Sequence, residues 1–178
     1  EVKGGGQTTL LFIEYAKAGP DDILVQITCA NRGPEAASLH VLPTLWHRNT
    51  WSWGRQGEGY WPKGRIEPAG VGRLRSDHAS LGRYLFACDA VGGQPPRFLF
   101  TDNETNAERL FGSRARSPWV KDAFHRHVVN GEAAAINPDA SGTKAAALYQ
   151  LTLGPGAEQV IRCRLPAAAA MPARKPDV

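Results

Sequence analysis

A chain of 178 residues fits a single domain and can bury roughly two thirds of its extended surface. With 42% hydrophobic and 21% charged residues it is neither a disordered nor a collagen-like chain. The formal net charge of +4 has no concentrated basic stripe behind it, since the arginines are spread from Arg32 to Arg174, and this argues against a nucleic-acid partner.

No apolar run approaches the length of a membrane helix, and no charged-then-apolar signal segment opens the chain, so no membrane partner is expected. Residues 1–6, with Gly4-Gly5-Gly6, read as a linker or a segment foreign to the domain, and the domain itself is expected over residues 7–166. Gln7 to Lys17 places Leu11, Ile13 and Tyr15 on one parity and Leu10 and Phe12 on the other, which predicts a largely buried strand. After the turn residues Gly19-Pro20-Asp21-Asp22, Ile23 to Ala30 alternates with a period of two and predicts a half-buried strand. Ser38 to Trp46 resumes an extended pattern; Pro43 has no N–H for a ladder and puts this strand at an edge or on a bulge.

Leu42 to Gly54 reads Leu-Pro-Thr-Leu-Trp-His-Arg-Asn-Thr-Trp-Ser-Trp-Gly and holds three of the five tryptophans, with Tyr60-Trp61 close behind. Indoles among amide and guanidinium donors suit sugar rings, whose C–H faces stack on aromatics while their hydroxyls take the donors. They suit a core or a domain interface equally, because large aromatics dominate both. Gly54 to Gly72 is rich in glycine, shows no period and is expected to be a long excursion without secondary structure.

Val71 to Arg75 predicts a short strand, and Gly82 to Ala90 and Arg97 to Thr101 predict two more, joined as a hairpin through Gly92-Gly93-Gln94-Pro95-Pro96. Thr105-Asn106-Ala107-Glu108 matches a capping box and starts a short helix that Gly112 stops. Ser117-Pro118 predicts the start of a second helix with Val120, Ala123, Phe124 and Val128 on one face. Ala145 to Leu153 and Gln159 to Leu165 flank Gly154-Pro155-Gly156-Ala157 and read as a hairpin. Residues 167–178 form an Ala- and Pro-rich linker tail. About eight short strands without βαβ alternation predict an all-β fold, a sandwich of antiparallel strands with one or two short helices.

Cys29, Cys88 and Cys163 are odd in number, far apart and each within a strand-like stretch, without zinc-site spacing. They are expected to be buried, reduced thiols in a cytoplasmic protein. His125 and His127 near Asp122 do not supply three convergent metal ligands from local spacing. The oxygen-rich run Asp102 to Asn106 lacks the glycine and distal glutamate of an EF-hand loop, and turn and capping roles explain it better. No metal and no cofactor are expected.

Leu42 to Gly54, together with Glu14-Tyr15-Ala16-Lys17-Ala18, Asn31 to Ala37, Asn103 to Asn106, Leu110-Phe111-Gly112, Val120 to His125 and Gly142 to Ala147, resembles the N-terminal β-sandwich region of bacterial members of glycoside hydrolase family 63. The resemblance spans most of the chain. It implies a large, supersandwich-like β-sandwich whose linker tail leads to an α/α barrel that carries the catalytic acid and base and has no counterpart here. On this resemblance the chain has no catalytic residues of its own. Its partner is the barrel of the same parent chain, with an oligosaccharide as a further partner. Trp46, Arg48, Asn49, Trp51, Trp53 and Trp61 are the expected sugar or interface contacts, with Lys121, Asp122 and His125 behind them. An autonomous carbohydrate-binding module is the alternative.

Overall fold

The computed structural model describes residues 9–168; the expected linker at 1–6 and nearly all of the tail lie outside the described residues. Two antiparallel sheets pack face to face as an all-β sandwich. The larger one combines β1 (Thr9–Gly19), β2 (Asp22–Asn31), β5 (Arg65–Pro68), β6 (Arg73–His78), β7 (Gly82–Cys88) and β10 (Glu158–Pro166), in the order β1-β2-β10-β7-β6-β5. The smaller one is built on β9 (Lys144–Leu153). β3 (Ala37–Val41) and β4 (Thr44–Trp46) pair along one side of it, and β8 (Arg97–Thr101) along the other. β3 and β4 keep one register against β9 and are a single strand interrupted at Leu42-Pro43, where proline withholds its ladder donor. The expected edge position of Pro43 is therefore observed.

The core between the sheets comes from alternate residues of the paired strands, among them Ile27, Cys29, Ile66, Leu74, Phe86, Tyr149, Leu151 and Ile161. The smaller sheet is buried on its second face too, under α2 (Ala123–Asn130), whose Phe124 packs with Leu99, Ala146 and Leu148. The run Ala145-Ala146-Ala147 is small enough for sheet and helix to approach on opposite sides. All three cysteines are buried, form no disulfide and lie in strands as expected, with Cys88 and Cys163 opposite each other on β7 and β10.

Several expectations are corrected. The first strand is not buried: Leu11, Ile13 and Tyr15 are 55%, 51% and 73% exposed, because β1 is an edge strand that the narrower sheet does not cover. The excursion at Gly54 to Gly72 contains β5, whose Ile66 exchanges two backbone hydrogen bonds with Gly142 (2.7 and 3.1 Å) and closes that flank of the sandwich. A side chain at Gly142 would meet the Thr101 carbonyl oxygen at 2.2 Å, so only glycine permits this closure. Neither expected hairpin forms. β7 and β8 belong to different sheets, as do β9 and β10, and each connection is a corner from one sheet to the other. Alternation reports which residues face a core, and both arrangements have the same alternation. The first helix, α1 (Ala107–Phe111), is capped by Asn106, which accepts from the Arg109 N–H, and not by Thr105. The second begins after Asp122, five residues beyond Ser117, whose hydroxyl instead closes a local turn with Trp119. β10 runs to Pro166, and Ala167 still bridges Tyr84, so the ladder outlasts the expected start of the tail.

The β9–β10 corner hangs on Asn31, which is fully buried. Its amide donates to the carbonyls of Glu35 (2.7 Å), Leu153 (2.9 Å) and Gly154 (3.1 Å), and its side-chain oxygen accepts from the Gly33 N–H. Its backbone exchanges bonds with Gly156 and Ala157. Removing this side chain leaves buried carbonyls without donors, each costing about 1–3 kcal/mol. Asn31→Ala is expected to destabilise the domain by about 3 kcal/mol, lowering Tm by roughly 6–12 °C in a calorimetric scan.

Candidate functional site

The chain leaves β4 at Trp46 and runs outward as an arm that returns at β5. Its root is polar and buried. His47 is 5% exposed, with Nε2 2.8 Å from Ser76 Oγ and its ring 5.1 Å from that of His78, while Nδ1 has no hydrogen-bond partner. Gly64 lies directly against this ring; a side chain there would stand 2.3 Å from Nδ1. Burial, then the neighbouring His78, holds the His47 imidazole down at about 4, against a weaker upward pull from Asp77. Burial lowers His78 as well.

Past His47, a 3-10 turn at Trp51–Trp53 ends at Gly54 in the left-handed region (φ 67°). Asn49 supports the turn by accepting from the Ser52 N–H and hydroxyl, and its amide donates to Glu104 Oε2 (2.9 Å) and the Asn103 carbonyl (3.0 Å). Trp51 donates its indole N–H to Glu104 Oε1 at 2.6 Å. Glu104, 8% exposed, thus spends both carboxylate oxygens on holding the arm. Asn103 adds a bond to the His47 carbonyl, and Lys63, where the arm returns, pairs with Asp102 at 2.8 Å.

Beyond this anchor the arm carries an exposed stack. Trp53 is 53% exposed and meets Tyr60 edge-on at 5.9 Å; the Arg48 guanidinium lies 5.8 Å from the Trp53 ring. Arg55 lies 5.7 Å from the Tyr60 ring and donates to its hydroxyl at 3.0 Å. Two aromatic faces between two cations form a ridge on which a sugar ring or another protein's surface can rest. At the foot of the arm, Lys63, Asp102, Trp119 and Asn137 line a cleft of about 350 Å³.

The two residue groups singled out in the sequence are brought together by Asp102 to Asn106. Lys121 donates its backbone N–H to the Glu104 carbonyl (2.9 Å) and its ammonium to Thr105 Oγ1 (3.3 Å). Asp122 accepts from Asn106 (3.0 Å) and Arg109 (3.3 Å). Burial raises the Asp122 pKa, but these bonds outweigh it and the carboxyl sits below its ordinary value. His125 is exposed on α2. Trp61 is half-buried and makes no ring contact with the stack, and Trp46 lies on β4 at the rim of a separate apolar groove. The tryptophans are therefore not one platform. Trp51 faces inward as an anchor, while Trp53 faces outward.

Asp102 and Glu104, expected in turn and capping roles, anchor the arm; Tyr60, noted beside Trp61 in the sequence, belongs to the stack, while Arg55 and Ser76 are not among the expected contacts. The available signal was three acceptors and two amides within five residues, more than one turn consumes. Among the described residues, no three His, Cys, Asp or Glu side chains converge as metal ligands, and no helix is long and apolar enough to cross a membrane.

No family model matches the chain. It is similar to YMR196W, an uncharacterized protein of Saccharomyces cerevisiae, at 28% identity over a 171-residue alignment that covers 84% of this chain and 16% of that protein. The chain thus spans less than a fifth of the relative's length.

The buried histidine gives the site a pH dependence. The unfolded chain takes up a proton near 6.5 and the folded one only near 4, so the stability from neutral His47 is full above about pH 6.5 and falls as pH drops toward 4. Urea melts at pH 7 and pH 4.5 are expected to differ by roughly 2 kcal/mol more in the wild type than in His47→Gln.

Proposed function

We propose that this chain is a non-catalytic β-sandwich domain of a larger glycoside hydrolase of the α-glucosidase type. It packs on the catalytic barrel of its parent and lends the arm at residues 47–63 to the mouth of the sugar site. The observation that carries this reading is the arm itself: it is fixed at its root by Glu104 yet keeps Trp53, Tyr60, Arg48 and Arg55 outward as an ordered stack. A segment that served only the domain's own core would bury its aromatics rather than hold them out on a polar anchor. The motif resemblance to family 63 supplies the reaction class, hydrolysis of an α-glucosidic bond. The small share of the yeast relative that the chain covers is consistent with a longer parent. The carboxylates near the arm are spent on structure, Glu104 on Trp51 and Asn49, and Asp102 on Lys63 and Thr143. Hydrolysis needs two carboxyl groups free to flank the bond, and in this reading the parent's barrel provides them. Three buried free cysteines suit a reducing compartment, and the reading places the parent in the cytoplasm.

The exposure of Trp53 favours one other reading, an autonomous carbohydrate-binding module. Titration of the isolated chain with glucose, maltose and longer α-glucans, followed by tryptophan fluorescence, separates the two. The proposed function predicts a flat response at millimolar sugar. In the parent enzyme it predicts a KM raised roughly three- to tenfold by Trp53→Ala with kcat nearly unchanged. A saturable response of the isolated chain that Trp53→Ala abolishes, with the fold intact, would establish the binding module instead.

A further inference from the structure

The two flanks of the sandwich are built differently. On one, β5 is tied across to Gly142 and the sheets meet. On the other, β1 and the end of β2 project past the smaller sheet and leave a groove of about 530 Å³ between the layers. Its floor is Leu11, Ile13 and Tyr15 of β1 with Ile23 of β2, between 36% and 73% exposed. Its wall is the β3–β4 edge, from His40 to Trp46. These floor residues share one parity and are paired in register: Tyr15 stands opposite Val25, and Ile13 opposite the fully core-facing Ile27. They continue the core face of the sheet and do not belong to its solvent face. An edge strand this long and apolar is a pairing and aggregation hazard unless something covers it.

The missing cover has the geometry of a strand. β3 and β4 pair with β9 on one side only among the described residues, and Pro43 accepts the Ala147 N–H with its carbonyl, so the alternate amides of Ser38, His40 and Thr44 point away from β9. A strand laid along this edge would take those amides and, at a sheet-to-sheet spacing of about 10 Å, set every second side chain onto Leu11, Ile13 and Tyr15. A second copy could offer only an edge strand that already belongs to its own sheet, and that strand would bring its whole sandwich with it rather than a single strand that fits between the layers. A longer parent of the kind proposed above would have chain to spare for one strand: the aligned region is 16% of the yeast relative.

We infer that a β-strand from elsewhere in a longer parent chain, with apolar residues at every second position, adds to the β3–β4 edge and completes the smaller sheet over β1. The added strand ends beside Trp46, where the arm begins, and ties the arm's root to the rest of the parent. This inference shares with the proposed function only the premise of a longer parent; it holds or fails whether or not the arm touches sugar.

Hydrogen–deuterium exchange by mass spectrometry on the 178-residue chain and on the longer natural polypeptide containing it tests the idea, with Ile13→Lys made in both. In the isolated chain, peptides from Ala37–Trp46 should show a fast-exchanging fraction from the outward amides of Ser38, His40 and Thr44, the chain should be monomeric by sedimentation, the groove should bind anilinonaphthalene sulfonate, and Ile13→Lys should leave Tm unchanged while weakening dye binding. In the longer polypeptide the same peptides should be protected roughly tenfold or more, dye binding should vanish, and Ile13→Lys should lower Tm. Equal exchange in the two proteins, or a stop codon after Val178 in the natural reading frame, would overturn the inference. Concentration-dependent dimerisation that protects Ala37–Trp46 in the isolated chain would overturn it as well, by making a second copy the occupant.

Discussion

The arrangement around the arm depends on one buried carboxylate. Glu104 sits at the end of the segment that follows β8 and receives the Trp51 indole N–H and the Asn49 amide on its two oxygens. A carboxylate this enclosed is tolerable only with donors on both oxygens, and those donors are worth more to it than to a neutral acceptor. The same residue's backbone carbonyl accepts from Lys121, so a single short segment positions the arm on one side and the start of α2 on the other. The outward stack of Arg48, Trp53, Tyr60 and Arg55 follows from this, because an arm of glycines and aromatics with no anchor would lose its shape to chain entropy.

Much of the fold was legible. β8 falls on its expected residues, β10 brackets Gln159 to Leu165, Pro43 sits at an edge, and the three cysteines lie buried in strands. What sequence could not give was pairing between distant strands. Gly154-Pro155-Gly156-Ala157 has the chemistry of a hairpin turn, and Asn31, more than a hundred residues away, makes it a corner between sheets. β1 misled in a related way. Its residues are as apolar as a core strand's, and their exposure depends on the width of the opposing sheet, which no local pattern encodes. At the site, the tryptophans announced themselves by density, but the division between an inward Trp51 and an outward Trp53 was set by Glu104, which looked like a loop acid.

The site and the open flank are connected through β4. Trp46 is both the last residue of that strand and part of the groove rim, and His47, the next residue, starts the buried root of the arm. A structural element completing the groove would therefore bear on the arm through backbone continuity, without contacting the aromatic stack. Domain surfaces that pack on other domains of one chain are commonly wet and polar at the rim. The arm with its arginines has that character, and the groove is the apolar counterpart expected of a core left incomplete.

The coupling between Glu104 and Trp51 is what holds the arm. A double-mutant cycle on unfolding free energy, with Glu104→Gln, Trp51→Phe and the pair, measures it directly. A coupling of about 1–2 kcal/mol is predicted, because a charge-assisted bond at a buried carboxylate is lost once and not twice. Additivity within about 0.3 kcal/mol would contradict this coupling, leaving Trp51 as packing and the arm without its anchor.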